Sequence, residues 1–226
     1  MQKIDKLFKG EFLTDPKSLR KKIKAIRAYI FDWDGVFNDG HKTETGSSSF
    51  SEVDSMGTNL LRYSHYLKNN EVPFAAIISG EQNKAAVTFA EREHFHALYS
   101  GIKNKADALR HFCRANNIEA TEVAFVFDDV LDLSIASHCG FRVLVSRRAN
   151  PLFTRFVKEK KLADYFTFST GTDHAVREFA ELIMFLHGEY DNTVQNRMDY
   201  SESYRSYLEK RNAAGTKLYS KEDLAI

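Results

Sequence analysis

Short apolar runs alternate with amphipathic segments along most of this chain, and this alternation limits the possible folds more than any other feature. The runs at 28–31, 74–78 and 123–127 are continuously apolar, which is typical of strands buried on both faces. Further strands are predicted at residues 96–99 and 141–145, and helices at residues 55–67, 81–92, 103–115, 130–139, 150–160 and 173–187. Such alternation predicts an α/β fold, a doubly wound parallel sheet with right-handed crossovers.

The 226 residues are enough for one hydrophobic core with a helical appendage, and the 43% hydrophobic content excludes bulk disorder. We expect a lead helix in residues 1–25, a core over 26–189 and a polar extension over 190–226. Residues 41–50 are polar around a Gly-Ser pair and predict a small β-hairpin flap. The tyrosine-rich extension leaves three possibilities open: an extra helix, an oligomer contact or a partly disordered tail.

The charge balance excludes some classes of partner. Lys and Arg number 32 against 31 Asp and Glu, so no overall field attracts nucleic acid or an anionic membrane. No run reaches the roughly 18 apolar residues of a membrane helix, and we expect neither export nor membrane insertion. Cys113 and Cys139 lack metal-type spacing and are interpreted as reduced core residues of a cytoplasmic protein.

Three of the predicted strands end in polar residues. Asp32 and Asp34 follow the first, Ser79-Gly80 follows the next, and Asp128-Asp129 follows the run at 123–127. Parallel strands place their carboxyl ends at one edge, so these groups should meet in space. Lys105 opens a helix between the last two and can reach the same edge.

These residue types suit phosphate ester chemistry. Carboxylates of Asp32, Asp34 and Asp128 form a hard oxygen site of the kind that Mg²⁺ prefers, and the metal would neutralise a dianionic ester. Asp32 is the candidate nucleophile, forming an aspartyl-phosphate, and Asp34 the candidate acid/base.

The phosphate oxygens need their own ligands. Ser79, the backbone N–H of Gly80 and Lys105 are the candidates.

Each motif also has a plain structural interpretation. Asp-Gly is a common turn signal, Asp128-Asp129 could cap a helix, and Lys105 could be solvated. His94 and His96 alternate as in a strand without a nearby metal partner. Arg147-Arg148 could contact an anionic substrate or be a solvated pair. The recurrence of polar groups at successive strand ends favours the functional interpretation.

Four segments together resemble the motifs of the haloacid dehalogenase superfamily: FDWDGVFNDG (31–40), IISGE (77–81), GIKNKADAL (101–109) and FVFDDVLDL (125–133). The resemblance runs from about Ile26 to Gly188 and is closest to the compact sugar-acid phosphatases of that superfamily, which lack a large cap domain. It implies a Rossmann-like core and a homotetramer in which a neighbouring subunit closes each active site.

The resemblance also implies a role for each site residue. Asp32 matches the nucleophile, Asp34 the acid/base, Ser79 the phosphate-binding hydroxyl, Lys105 the motif lysine and Asp128 the metal ligand. Beside these, Asp129 would support the metal site and Asp132 the loop.

Four positions depart from the family pattern. Asn38 stands where threonine is common, Phe127 where glycine is common and Glu81 where a basic residue is common. Val53-Asp54-Ser55 replaces an Arg-Asp-Gly stretch. The loss of basic residues at 53 and 81 bears on the choice of substrate.

The sequence therefore predicts a magnesium-dependent hydrolase of small phosphate monoesters. The expected substrate is the phosphate of a sugar acid or related metabolite. One alternative is a phosphatase for a different metabolite. Another is a signalling receiver domain, which also combines aspartates, a hydroxyl and a lysine around magnesium. A third is a degenerate relative that binds a partner without catalysis.

Overall fold

The computed structural model describes residues 4–224, which contain eight strands in one sheet. The strands are β1 (Glu11–Phe12), β2 (Ala28–Phe31), β3 (Phe74–Ile78), β4 (Ala97–Tyr99), β5 (Val123–Phe127), β6 (Phe141–Leu144), β7 (Tyr165–Phe166) and β8 (Lys217–Tyr219). The helices are α1 (Ile4–Leu7), α2 (Pro16–Ile23), α3 (Glu52–Asn69), α4 (Lys84–Arg92), α5 (Lys105–Asn116), α6 (Leu133–Ala136), α7 (Pro151–Glu159), α8 (Ala175–His187), α9 (Tyr190–Met198) and α10 (Glu202–Asn212).

The strand order is β1-β7-β6-β5-β2-β3-β4-β8, and all pairs are parallel except β1 with β7. If the five core strands β2 to β6 are renumbered 1 to 5 in chain order, they lie in the order 3-2-1-4-5, which is the Rossmann arrangement. A receiver domain has the order 2-1-3-4-5, so the receiver alternative is wrong. The predicted doubly wound α/β class is confirmed, and no large cap domain interrupts residues 4–224.

Each face of the sheet is covered by helices. Side chains alternate along a strand, so Tyr29 and Phe31 of β2 point to one face and Ala28 and Ile30 to the other. The first face packs against α2, α3, α4 and α8, and the second against α5, α6 and α7. Helices cover β2 on both faces, which explains why all four of its residues are apolar and none alternates with a polar residue.

Capping residues set helix boundaries that periodicity alone misplaces. Helix α3 begins earlier than predicted because the Ser51 side chain accepts from Val53 N–H. Helix α4 begins later, because Asn83 caps it. The helix predicted over 130–139 is instead a 3₁₀ turn, Val130–Asp132, followed by the single-turn α6.

The flap expected at residues 41–50 is a loop with one tight turn and no paired strands, in place of the predicted hairpin. Gly46 N donates to Thr43 O at 2.8 Å, and Thr43 N donates to Ser47 O at 2.8 Å. Polar groups of the loop bond to Asp34 and Asn83 rather than to a facing strand.

Residues 190–224 form α9, α10, β8 and a short 3₁₀ turn packed on the core. Strand β8 extends the sheet beside β4. On α10, Tyr204 and Tyr207 join Tyr63 and Tyr66 of α3 in a buried cluster. The division of the chain at residues 25 and 189 remains a prediction.

Two smaller expectations concern the cysteines and the membrane. Cys113 and Cys139 are free and buried, as predicted. Among the helices of residues 4–224, none combines the length and the apolar character required to cross a membrane.

Candidate active site

The register of the central strands brings the predicted residues to one edge. Phe31 at the end of β2 lies beside Ile77 of β3 and Val126 of β5, so the segments that follow these strands emerge together. They surround a cavity of about 250 Å³. The predicted residues that line it are Asp32, Asp34, Ser79, Gly80, Lys105, Asp128, Asp129 and Asp132.

Three carboxylates converge at the bottom of the cavity. One oxygen from each of Asp32, Asp128 and Asp132 lies within 4.8 Å of the others, and all three residues are buried. The sequence predicted Asp34 as the third carboxylate of a metal site and gave Asp132 only a supporting role. The structure places Asp132 in the cluster, and the Asp34 side chain bonds to the flap instead.

Lys105 is the cation of this cluster. Its ammonium lies 2.6 Å from Asp32 Oδ1 and 2.6 Å from Asp132 Oδ1, and its side chain is only 2% exposed. Burial alone would lower the pKa of Lys105, but Asp32 and Asp132 together raise it above its ordinary value. Predicted as a phosphate ligand, Lys105 therefore also holds the nucleophile candidate in place.

The cluster is short of positive charge. Burial, and then the negative charge of Asp32, raise the pKa of Asp128 to about 8. The same two causes raise the pKa of Asp132 to about 7. Arg147, which sequence reasoning left undecided, pairs with Asp128 Oδ2 at 2.7 Å and lines the cavity. A divalent cation would supply the missing charge.

The Asp34 side chain is 24% exposed, against 9% for that of Asp32. Its Oδ2 accepts from Lys42 and its Oδ1 from the Ser48 hydroxyl, both on the flap. Sequence reasoning named neither flap residue, because a polar loop gives no periodic signal.

The candidates for phosphate binding follow the carboxyl end of β3. Ser79 is buried, its N–H donates to Tyr99 O at 2.8 Å, and its hydroxyl accepts from Glu81 N at 3.3 Å. Gly80 lines the cavity, and Glu81 at the rim pairs with Lys103.

Gly35 and Asn38 shape the loop after β2. Gly35 has φ +87°, and a Cβ there would lie 2.0 Å from Asp128 Oδ2. The Asn38 Oδ1 accepts from Gly40 N at 2.8 Å, and its Nδ2 donates to Ser49 O at 3.0 Å. The Asp-Gly pair signalled a turn at Gly35, but not its contact with Asp128.

Other residues singled out from the sequence have structural roles. His96 Nδ1 accepts from Ala75 N at 3.1 Å, and His94 Nδ1 lies 3.4 Å from Ala214 O. Phe127 is fully buried and stacks on Phe125. Val53 is 42% exposed and lies outside the cavity lining, so of the two positions that lack a basic residue only Glu81 lines the cavity.

A Rossmann-ordered sheet with an acid cluster, a buried lysine and a serine at its carboxyl edge defines a phosphohydrolase of the haloacid dehalogenase type. A haloacid dehalogenase superfamily hydrolase from Legionella pneumophila is 29% identical, with a TM-score of 0.67, covering 81% of this chain and 95% of that chain.

Over 174 residues the chain is 31% identical to the 3-deoxy-D-manno-octulosonate 8-phosphate phosphatase KdsC of Salmonella typhi, covering 75% of this chain and 85% of that protein. The octulosonate-phosphate phosphatase of Moraxella catarrhalis, solved with magnesium, phosphate and the sugar acid, is 26% identical with a TM-score of 0.67, covering 80% and 98%. No model of a protein family matches. The chain belongs to the KdsC family of haloacid dehalogenase phosphatases.

Proposed function

We propose that this phosphatase hydrolyses the phosphate monoester of a small sugar acid, with Mg²⁺ as cofactor and an aspartyl-phosphate on Asp32 as intermediate. The observation that carries the proposal is the pairing of Asp32 with buried Lys105 beside two further carboxylates. The named substrate of its relatives, 3-deoxy-D-manno-octulosonate 8-phosphate, is the first candidate.

The acid cluster fits a magnesium ion. Carboxylate oxygens are its preferred ligands, and the raised pKa values of Asp128 and Asp132 mark a site that favours added positive charge. Asp32, Asp128 and Asp132 would hold the ion, and Asp34 remains a candidate ligand from the sequence. Bound there, Mg²⁺ would neutralise the phosphate and the acids around it.

The reaction divides into two steps. A carboxylate oxygen of Asp32 attacks phosphorus, the ester P–O bond breaks, and Asp34 gives a proton to the departing alcohol. Asp34 then takes a proton from water, whose oxygen attacks phosphorus, and inorganic phosphate leaves with Asp32 regenerated.

Other groups orient these steps. Lys105 fixes the Asp32 carboxylate and reduces its repulsion toward the phosphate. The Ser79 hydroxyl and the N–H of Gly80 would bind phosphate oxygens, because both residues line the cavity.

Phosphate release from a panel of sugar-acid, neutral sugar and nucleotide monophosphates, with and without Mg²⁺, tests the proposal. Asp32→Asn should lower kcat by about a thousandfold or more, because the amide cannot act as nucleophile. Asp191→Asn, on the exposed part of α9, is the matched control and should keep activity.

Preferred turnover of a nucleotide or neutral sugar phosphate would favour the alternative of another metabolite. A folded protein that releases no phosphate from any ester would instead favour a partner-binding role. Homotetramer assembly, expected from the resemblance, and a cytoplasmic location, expected from the two cysteines, remain proposals of the same kind.

A further inference from the structure

The flap loop places a cation beside the candidate acid/base. Lys42 Nζ bonds to Asp34 Oδ2, and the Lys42 side chain is 33% exposed. Asp34 must lie within hydrogen-bond reach of the leaving oxygen to protonate it. The Lys42 ammonium therefore lies within two hydrogen bonds, roughly 6 Å, of that oxygen, on the side of the cavity that receives the alcohol.

Lys42 also lies toward the rim. Lys103, and to a smaller extent Lys42, lower the pKa of Glu81, which lines the cavity. Lys42 thus lies near both Asp34 and Glu81, two residues that line the same cavity.

Other cations near the cavity serve different anions. Lys105 lies at the bottom between Asp32 and Asp132, and Arg147 pairs with Asp128. Lys103 is 69% exposed, so water and salt screen its charge more than that of Lys42.

The flap holds its position independently of the Lys42 ammonium. The Ser48 hydroxyl accepts from Asn83 Nδ2 at 2.6 Å and from Trp33 Nε1 at 3.1 Å, and Ser47 Oγ donates to Asn83 Oδ1 at 2.9 Å. Removal of the ammonium therefore leaves the loop anchored, and its effect on a substrate can be measured separately.

We propose that Lys42 is a specificity-determining residue, whose ammonium binds an acidic group in the alcohol part of the substrate. This inference rests on the proposed function and assigns the choice of an acidic substrate to the flap. The Lys42 ammonium has three N–H groups, and Asp34 accepts from it. A further N–H favours a substrate carboxylate over a hydroxyl at the same place, because a charge-assisted hydrogen bond is stronger.

Two esters that differ in one group test it: 6-phosphogluconate carries a carboxylate where glucitol 6-phosphate carries a hydroxymethyl group. Their affinities are measured as inhibition constants against hydrolysis of p-nitrophenyl phosphate. The unmodified enzyme should bind the acid about tenfold more tightly, or about 1.4 kcal/mol. Lys42→Met should weaken binding of the acid alone, and Lys42→Arg should retain the preference.

Lys84→Met removes an equal charge from an exposed position on α4 and should leave the preference unchanged. Circular dichroism checks that each variant is folded. Equal weakening of both esters in Lys42→Met, an undiminished preference in it, or no preference in the unmodified enzyme would overturn the inference. Failure to hydrolyse p-nitrophenyl phosphate at all would count against the proposed function instead.

Discussion

At Gly35 the backbone passes so close to the acid cluster that a side chain has no room. Its φ of +87° suits glycine, and a Cβ would meet Asp128 Oδ2 at 2.0 Å and Arg147 Nη2 at 2.4 Å. A methyl group here would displace Asp128 from the cluster as well as strain the backbone.

Gly35→Ala should therefore lower kcat by about a hundredfold or more and cost about 1–3 kcal/mol of unfolding free energy. Gly188→Ala is the matched control, since Gly188 has φ +77° and no atom within 4 Å of its added Cβ. It should lose stability but retain activity. Steady-state kinetics and urea unfolding measure both effects, and comparable activity in the two variants would contradict the steric argument.

At the scale of elements, α10 is attached to α3 by aromatic packing and hydrogen bonds. Tyr207 is fully buried and donates to Asn59 O at 3.1 Å, and Tyr204 donates to Asn59 Oδ1 at 2.9 Å. The Tyr63 ring lies 5.0 Å from that of Tyr204 and 5.1 Å from that of Tyr207. These contacts make α10 part of the core.

Tyr207→Ala should lower the unfolding free energy by about 3–5 kcal/mol, because it leaves a large cavity. Tyr207→Phe should cost about 1 kcal/mol for the lost hydrogen bond. Met198→Ala, at a side chain 70% exposed on α9, should change stability by no more than about 0.5 kcal/mol. Urea unfolding measures all three, and a Tyr207→Ala cost near that of Met198→Ala would mean that α10 is not packed in solution.

At the scale of the whole molecule, the acid cluster links stability to pH and metal. Burial and Asp32 raise the folded-state pKa values of Asp128 and Asp132 to about 8 and about 7, against about 3.9 for an unfolded aspartate. The folded state thus retains protons that the unfolded chain releases. Without metal, this contribution to stability is complete below about pH 4 and is lost as the pH rises through 7 to 8.

Magnesium should reverse that loss, because it binds the deprotonated carboxylates of the folded state. The rise in Tm on adding MgCl₂ to EDTA-treated protein should be larger at pH 8.5 than at pH 5.5. Groups that do not bind metal, such as the buried histidines, affect Tm equally with and without MgCl₂. The difference in Tm at each pH therefore excludes their contribution. NaCl at equal ionic strength is the control, and an equal or larger shift at pH 5.5 would contradict the assignment.

The positions of the central strands and of the candidate site follow from local sequence. The continuous apolar runs of β2, β3 and β5 mark buried parallel strands, and the polar residues after them must share an edge, so the cavity and its predicted residues could be placed without coordinates. The helix ends depended on single caps such as Ser51 and Asn83, which periodicity does not register.

Tertiary structure decided the contacts between distant segments. Asp132 rather than Asp34 joins the acid cluster, because Lys105 holds Asp132 while Lys42 and Ser48 hold Asp34. Helix α10 mixes tyrosines with charges of both signs, so no local pattern indicated that α3 would bury its aromatic side. A local pattern fixes which residues are buried or lie at a strand end, but which side chains neutralise each other depends on distances that only the folded chain sets.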